Sequence, residues 1–280
     1  MNITGLTTGL AICATLFLTG CSISGIAGNN VSLNGNDGEA TVKKSVKITD
    51  FSEIEASQAI KVIYVQGKNT GVADISTTPS AEKYLKVEVK DKTLKVYYYN
   101  DNNKDVKIQG PSIIKVSSPT LSEVDLSSAA NVTVEGDLKL KGNFELDLSS
   151  ASSFNVGNIT CQKLDVDLSS AASAKISNLN GNLDAELSSA SSIEIKKMKG
   201  NVELETSSSA SISINAVVAS SIYAEASSAG SVNISGISVG KINASASSGG
   251  KINLSGKADS IKQDSSSGGS VSYSDLTLAN

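Results

Sequence analysis

Residues 183–195 read LDAELSSASSIEI, and this short stretch contains the pattern that decides the fold. Its first five residues alternate between apolar and acidic, four small residues follow, and alternation resumes over residues 192–195. Alternation with a period of two is typical of a β-strand that buries one face. The small residues suit a tight corner between two such strands. The stretch therefore predicts a strand, a corner and a second strand.

The same pattern recurs throughout the second half of the chain. Each copy contains an anchor residue followed by two serines, and the anchors are 22, 20, 19, 19, 20, 20 and 19 residues apart. The anchors are Leu126, Leu148, Leu168, Leu187, Thr206, Ala226, Ala246 and Ser265. Such a period is typical of solenoids, in which a unit buries its apolar face only by stacking on its neighbours. We predict an all-β fold, a single-chain parallel β-helix of coils of about 20 residues, right-handed by the usual preference.

Stacked coils would align equivalent residues in columns. Two inward columns are predicted, and both are rich in the β-branched residues that strands favour. The first contains Val132, Phe154, Ala174, Ile193, Ile212, Val232, Ile252 and Val271; the second contains Val134, Val156, Ile176, Ile195, Ile214, Ile234, Leu254 and Tyr273. An outward polar column contains Asn131, Ser153, Ser173, Ser192, Ser211, Ser231, Lys251 and Ser270. It could bind a glycan or form hydrogen bonds along the stack, and stacking is the favoured interpretation.

The remaining segments divide the chain further. Residues 39–119 contain strand-like runs at irregular spacing, which predict an N-terminal β cap and the leading coils. Residues 120–275 form the Ser-rich β-helix repeats, and residues 276–280 form a short tail. A cap is expected because the first coil of a solenoid otherwise exposes an unpaired strand edge.

The N-terminus has the features of a bacterial lipoprotein precursor. An apolar run ends in Leu18-Thr19-Gly20-Cys21, and it is too short to span a bilayer but long enough for a signal peptide. The motif resembles the lipobox, although the first four residues contain no Lys or Arg. The resemblance implies a signal peptide over residues 1–20 and acylation of Cys21, with palmitate among the expected acyl groups. Residues 21–38 would then form a flexible tether to the outer membrane of the cell envelope.

The composition disfavours several functions. The chain has no His, and all 24 of its basic residues are Lys. A Ser-His-Asp triad, an imidazole metal ligand and an Arg phosphate clamp are therefore excluded. The net charge of −4 disfavours nucleic acid as a partner. Beyond the lipobox the only cysteine is Cys161, which we expect to be a small buried residue without a disulfide partner.

An ordered set of short motifs precedes the repeats. Residues 46–55 read VKITDFSEIE, residues 59–62 read AIKV, residues 94–96 read LKV and residues 119–129 read PTLSEVDLSSA. In this order, and followed by Ser-rich repeats, they resemble the family called putative auto-transporter adhesin, head GIN domain. The resemblance covers about residues 40–275. It implies a β-helical fold and, by its name, adhesion, and it brings no catalytic residues.

Acidic residues recur on the outward face of the strand before each serine pair. One column contains Asp125, Asp147, Asp167, Glu186, Glu205 and Glu225, and continues through Ser245 to Asp264. Two positions earlier in the first five coils are Glu123, Glu145, Asp165, Asp184 and Glu203. Like charges on adjacent strands repel by about 0.2–1 kcal/mol per pair, so their repetition needs an explanation.

Three interpretations of the acidic columns remain open. They could be a solvated face that discourages lateral aggregation, or a face that binds Ca²⁺ or a cationic partner. They could also supply the acid and base of a β-helical polysaccharide-degrading enzyme, although this chain lacks His, lacks Arg and has few aromatic residues. No metal site and no cofactor are predicted, with Ca²⁺ as the one ion considered.

The sequence as a whole predicts a lipid-anchored, non-enzymatic envelope protein with an adhesin-like binding surface. Its expected partners are the membrane, through the anchor, and an extracellular glycan or protein. A structural envelope protein with a low-affinity Ca²⁺ face is the alternative.

Overall fold

The structure, a computed structural model, describes residues 22–23, 31–34, 41–101 and 106–279, and most of these residues are in strands. The first part contains β1 (Ser22–Ile23), β2 (Val31–Asn34), β3 (Val42–Lys47), β4 (Glu53–Ala56), β5 (Lys61–Gln66), β6 (Val72–Thr77), α1 (Pro79–Glu82), β7 (Leu85–Lys90), β8 (Thr93–Tyr98), β9 (Val106–Gln109) and β10 (Ile113–Ser118). The second part contains β11 (Glu123–Leu126), β12 (Asn131–Lys139), β13 (Phe144–Leu148), β14 (Ser153–Leu168), β15 (Ser173–Leu187), β16 (Ser192–Lys199), β17 (Val202–Thr206), β18 (Ser211–Ile214), β19 (Val217–Ala226), β20 (Ser231–Ala246), β21 (Lys251–Ser265) and β22 (Ser270–Leu278).

The second part is a parallel β-solenoid, which confirms the predicted fold. Each coil has three sides. In one coil, side 1 is residues 164–168, side 2 is residues 173–176 after the serine corner, and side 3 is residues 178–180. Each side pairs in parallel with the same side of the next coil, as residue 168 does with residue 187 and residue 176 with residue 195. The core is the narrow space between the three sides.

The predicted inward columns form the core, with one exception. Both are in register from coil to coil, and most members are under 10% exposed. The exception is Tyr273, which is 38% exposed. The pairing of β21 with β22 shifts register between Asn253 and Ser255, so Tyr273 does not stack on Leu254. The prediction that Tyr273 faces inward is therefore wrong. Strand β22 also continues to Leu278, into the predicted tail.

Each serine corner is a turn of unusual backbone conformation. Ser170 and Ala171 both have positive φ, at 52° and 62°, and the amide of Ala172 donates to the carbonyl of Ser169 at 3.0 Å. Two consecutive positive φ values with this hydrogen bond are the features of a type I′ turn. Equivalent pairs occur at residues 128–129, 150–151, 189–190, 208–209, 228–229, 248–249 and 267–268. The Ala171 amide donates to the carbonyl of Ser189 in the next coil at 2.9 Å, so the hydrogen-bond ladder continues around the corner.

The first coils do not stack in chain order. The coil formed by β4 and β5 lies between the coil formed by β8 and β10 and the coil formed by β11 and β12. The outer side of β8 is covered by β7, and that of β10 by β6 and then β3, all antiparallel. These strands blunt the N-terminal edge of the solenoid.

The N-terminal segments are only partly described. The predicted signal peptide and Cys21 lie outside the described residues. Within the predicted tether, Ser22–Ile23 and Val31–Asn34 are short strands, and β2 pairs with β9. No helix in the described ranges is long and apolar enough to cross a membrane.

Candidate functional site

The six acidic residues predicted to share a face are direct neighbours on side 1. They face outward because they alternate with buried residues such as Leu146 and Leu148. The register pairs Asp125 with Asp147, Asp147 with Asp167, Asp167 with Glu186, Glu186 with Glu205 and Glu205 with Glu225. Five steps at the usual strand spacing make this line about 24 Å long.

The carboxylates form one wall of a groove along the corner between sides 1 and 2. The opposite wall is the first serine of each turn, including Ser149, Ser169 and Ser188. The groove has a volume of about 390 Å³ and reaches from Asp125 to Ser247. We call it the acidic groove. It exists because the type I′ turn bends the chain sharply after the last side 1 residue in every coil.

The carboxylates are close enough to change one another's ionisation. Burial and then the carboxylates of Glu145, Asp167 and Asp125 raise the pKa of Asp147 to about 6. Burial is also the main cause of a raised pKa at Asp125 and at Glu205, with neighbouring carboxylates adding to it. The groove therefore holds negative charge at the expense of local repulsion, which a bound cation would relieve.

None of the six carboxylates has a lysine ammonium within 4.0 Å in the described part of the chain. Glu225 accepts a hydrogen bond from the Tyr223 hydroxyl, which contributes most to raising the pKa of Tyr223 to about 12. Lys95, which pairs with Glu55, lowers the pKa of Asp125 against the larger effect of burial. The groove is thus open to a cation from outside.

The second acidic column is partly neutralised. Its residues are also in register on side 1, but the Lys163 ammonium lies 2.5 Å from Asp165 and 2.7 Å from Asp184. These two hydrogen bonds are the main reason that the pKa of Lys163 is raised. The sequence analysis did not anticipate this bridge, because Lys163 lies between sides 3 and 1, where no periodic pattern places it.

The sequence analysis also missed one rung of each acidic column. Glu53 pairs with Glu123 and Glu55 pairs with Asp125, because β4 stacks on β11. A signal was present: residues 53–57 read EIEAS and residues 123–127 read EVDLS, which is the same arrangement of acidic and apolar positions. Lys95 ends the column by pairing with Glu55.

The carboxylates are arranged along a line. Within residues 41–101 and 106–279, no group of three or more Cys, Asp or Glu side chains is close enough together to hold a metal ion. A line of carboxylates presents its charge most effectively to an extended ligand that carries several cations.

The outward polar column on side 2 shows hydrogen bonds along the stack. The Asn131 amide nitrogen donates to the Ser153 hydroxyl at 2.7 Å. In the outward column beside it, the amide nitrogen of Asn253 donates to the Asn233 amide oxygen at 2.7 Å. These contacts favour the stacking interpretation of the amides.

Cys161 is buried, as predicted, and has no disulfide partner in the described residues. Burial and then the charge of Asp165 raise the pKa of its thiol to about 11. The reactive thiolate is therefore scarce at neutral pH.

The chain matches a known protein family. The family model described as putative auto-transporter adhesin, head GIN domain, matches residues 50–237 and 202–280. No curated protein matches the chain.

Three crystal structures from Parabacteroides share the fold. The chain is similar to a putative adhesin from Parabacteroides merdae at 20% identity and a TM-score of 0.73, over 86% of this chain and 98% of the other. A putative adhesin from Parabacteroides distasonis gives 19% identity and 0.73, over 86% and 99%. A protein from Parabacteroides distasonis described as putative lipid binding gives 18% and 0.72, over 86% and 99%.

Proposed function

Because the chain belongs to the family described as putative auto-transporter adhesin, head GIN domain, we propose that it is a non-catalytic, lipid-anchored adhesin of the bacterial outer membrane whose acidic groove binds a cationic partner. The anchor is Cys21, supported by the lipobox-like motif that ends there. The partner is an extracellular protein segment or glycan that carries several positive charges in an extended conformation.

The observation that carries this proposal is the uncompensated line of six carboxylates. A solvated face needs charge but has no need of a groove, and it does not need the same column to be acidic in six successive coils. Burial in the groove raises the pKa of Asp147, so this carboxylate is partly removed from water. Because neighbouring carboxylates repel, several ammonium groups bound along the line would relieve the repulsion and gain attraction together.

Calorimetric titration with a hexalysine peptide tests the groove. The mature chain, residues 21–280 with Cys21→Ser, is expected to bind with a saturable heat that weakens as salt is added. The triple variant Asp147→Asn, Asp167→Asn and Glu186→Gln should bind at least about tenfold more weakly, since it loses three adjacent charges.

The matched control removes three carboxylates from other faces: Glu135→Gln, Glu194→Gln and Asp275→Asn. It changes the net charge equally, so it should reduce affinity much less. An equal loss in both variants would mean that hexalysine responds to overall charge, and would contradict a groove site. Titration of the same protein with CaCl₂ separates the alternative: a saturable heat with a raised thermal midpoint would favour a structural Ca²⁺ face over a peptide-binding groove.

A further inference from the structure

The outward face of side 2 changes character at its N-terminal end. From β12 to β22 the two outward positions before the bend into side 3 contain only Ser, Asn, Thr, Lys or Glu. In the two coils before β12 the same columns contain Ile113 and Ile63, both partly exposed. Apolar side chains that point away from the core, in a face that is otherwise polar, indicate an interaction surface.

The two isoleucines are surrounded by lysines. The register places Ile113 opposite Lys61 and Ile63 opposite Lys115 on the neighbouring parallel strands. Ile63, Ile113 and Lys115 line a shallow groove of about 400 Å³ together with Lys43 and Lys44 of β3. The one carboxylate in its lining, Asp74, accepts a hydrogen bond from the Ser45 hydroxyl at 2.6 Å. Long lysine side chains can lay their methylene groups along an apolar surface while the ammonium groups point outward.

Part of this positive charge is unused within the protein. In the described residues, Lys44 pairs with Glu82 at 3.0 Å and Lys115 pairs with Glu135 at 2.8 Å. Lys43, Lys47 and Lys61 have no carboxylate within 4.0 Å among those residues. The surrounding region is basic as well: residues 41–118 contain 13 lysines and 9 acidic residues, whereas residues 119–280 contain 11 lysines and 17 acidic residues.

The patch lies at the end of the solenoid where the chain begins. Strand β1 pairs with β2, and β2 pairs with β9, which packs beside α1. The ion pair between Lys44 and Glu82 joins β3 to α1. The backbone at Ser22 is therefore at the same end as Ile63 and Ile113.

Protection of a sheet edge explains only part of the patch. Lysines on edge strands discourage pairing with other chains, and Lys43 and Lys47 are on the edge strand β3. Ile63 and Ile113 are on β5 and β10, which are paired on both sides. Outward isoleucines on interior strands do nothing to protect an edge.

We propose that Ile63, Ile113 and the lysines around them bind the surface of an anionic lipid bilayer, so that the N-terminal end of the solenoid sits on the membrane. Apolar side chains enter the boundary between headgroups and acyl chains, and lysines pair with the lipid phosphates. The inference goes beyond the proposed adhesin function and does not depend on acylation of Cys21.

Sedimentation with lipid vesicles tests the proposal in the mature chain, residues 21–280 with Cys21→Ser, which retains every described residue. We expect binding to vesicles of phosphatidylcholine with about one third phosphatidylglycerol to exceed binding to pure phosphatidylcholine by at least about tenfold. Raising the salt from about 0.1 M to about 1 M shortens the Debye length from about 10 Å to about 3 Å and should remove most of the binding.

Two variants separate the contribution of the isoleucines from that of the lysines. Ile63→Ser with Ile113→Ser copies the residues found in later coils, so it should fold, which a thermal melt confirms, and should lose most of the binding. Lys43→Gln, Lys47→Gln and Lys61→Gln should lose the preference for anionic vesicles. The control variant Lys196→Gln, Lys197→Gln and Lys199→Gln removes the same charge from the repeats and should bind normally.

Absence of binding to anionic vesicles, or equal loss in the control and patch lysine variants, would overturn the proposal. Unchanged binding after both isoleucine substitutions would do the same. Hexalysine binding in the acidic groove is measured without vesicles, so failure of one proposal is distinguishable from failure of the other.

Discussion

The early and late coils of the solenoid build the same corner from different residues. In an early coil the second residue of positive φ is Ala171, the residue after it is Ala172, and the inner side chain before the turn is Leu168. In a late coil the residues equivalent to Ala171 and Ala172 are Gly249 and Gly250. The inner residues before the turn shrink in parallel, from Leu168 and Leu187 to Thr206, Ala226 and Ala246.

The difference shows that stacking, and not residue preference, sets the turn. A positive φ costs Ala or Ser roughly 1–2 kcal/mol relative to the ordinary helical conformation, yet the early coils adopt it at both turn positions. The hydrogen bond from Ala171 to Ser189 and the burial of leucine offset that cost. The late coils bury smaller side chains, and they use glycine, which adopts positive φ readily.

The largest effect should come from placing alanine at Gly250, the position that is already alanine in the early corner. A Cβ there would lie 2.2 Å from the carbonyl oxygen of Ala226, whereas the equivalent Ala172 already has a Cβ. Gly250→Ala should lower the free energy of unfolding by about 2–3 kcal/mol, because the backbone of two coils must separate. Urea unfolding measures the change, and Ala172→Gly is the control, with an expected loss of no more than about 1 kcal/mol. A loss at Gly250 no larger than at Ala172 would mean that the late corners are not tighter.

A smaller effect should come from exchanging the residues at the second position of positive φ. A Cβ at Gly249 meets no atom within 4 Å, so Gly249→Ala tests backbone strain alone and should destabilise by about 1 kcal/mol. Ala171→Gly, at an exposed position with φ of 62°, should stabilise by up to about 1 kcal/mol. Thermal midpoints of the two variants should move in opposite directions; a shift of the same sign in both would disprove the strain argument.

The smallest effect concerns the acidic column, which is continuous in the early coils and contains Ser245 in a late one. The pKa of Asp147 is about 6 in the folded protein, above its ordinary value of 3.8. The native state therefore binds more protons than the unfolded state between about pH 4 and pH 6, and stability should fall as pH rises through that window.

Solvent screening limits this pH effect to less than about 1 kcal/mol. Asp147→Asn should flatten the profile of thermal midpoint against pH between pH 4 and pH 7. Asp264→Asn, in the same column of the last coil, is the matched control and should leave the slope intact. A profile that is unchanged by Asp147→Asn would show that repulsion in the groove does not affect the stability of the folded state.

The repeat was the feature most accessible from the sequence. The period near 20 residues and the alternation within each copy were sufficient for the solenoid, its inward columns and the line from Asp125 to Glu225. The pairs of positive φ could not be predicted from the sequence, because Ser-Ser-Ala has no intrinsic preference for that conformation and adopts it through contacts between coils. Tyr273 was misplaced because a local register shift changes which face a side chain occupies, and alternation assumes no shift. The outward isoleucines were hidden in the irregular N-terminal part.

The out-of-order coil at the N-terminal end has a mechanical consequence. Strands β4 and β5 are held by parallel neighbours on both sides, and one of those neighbours comes later in the chain. Tension transmitted to β4 and β5 therefore loads two rows of backbone hydrogen bonds in shear instead of peeling one coil at a time. The C-terminal coils have no such lock, because each is simply added to the one before it. Under force the molecule should unravel from its C-terminal end, while the N-terminal coils hold.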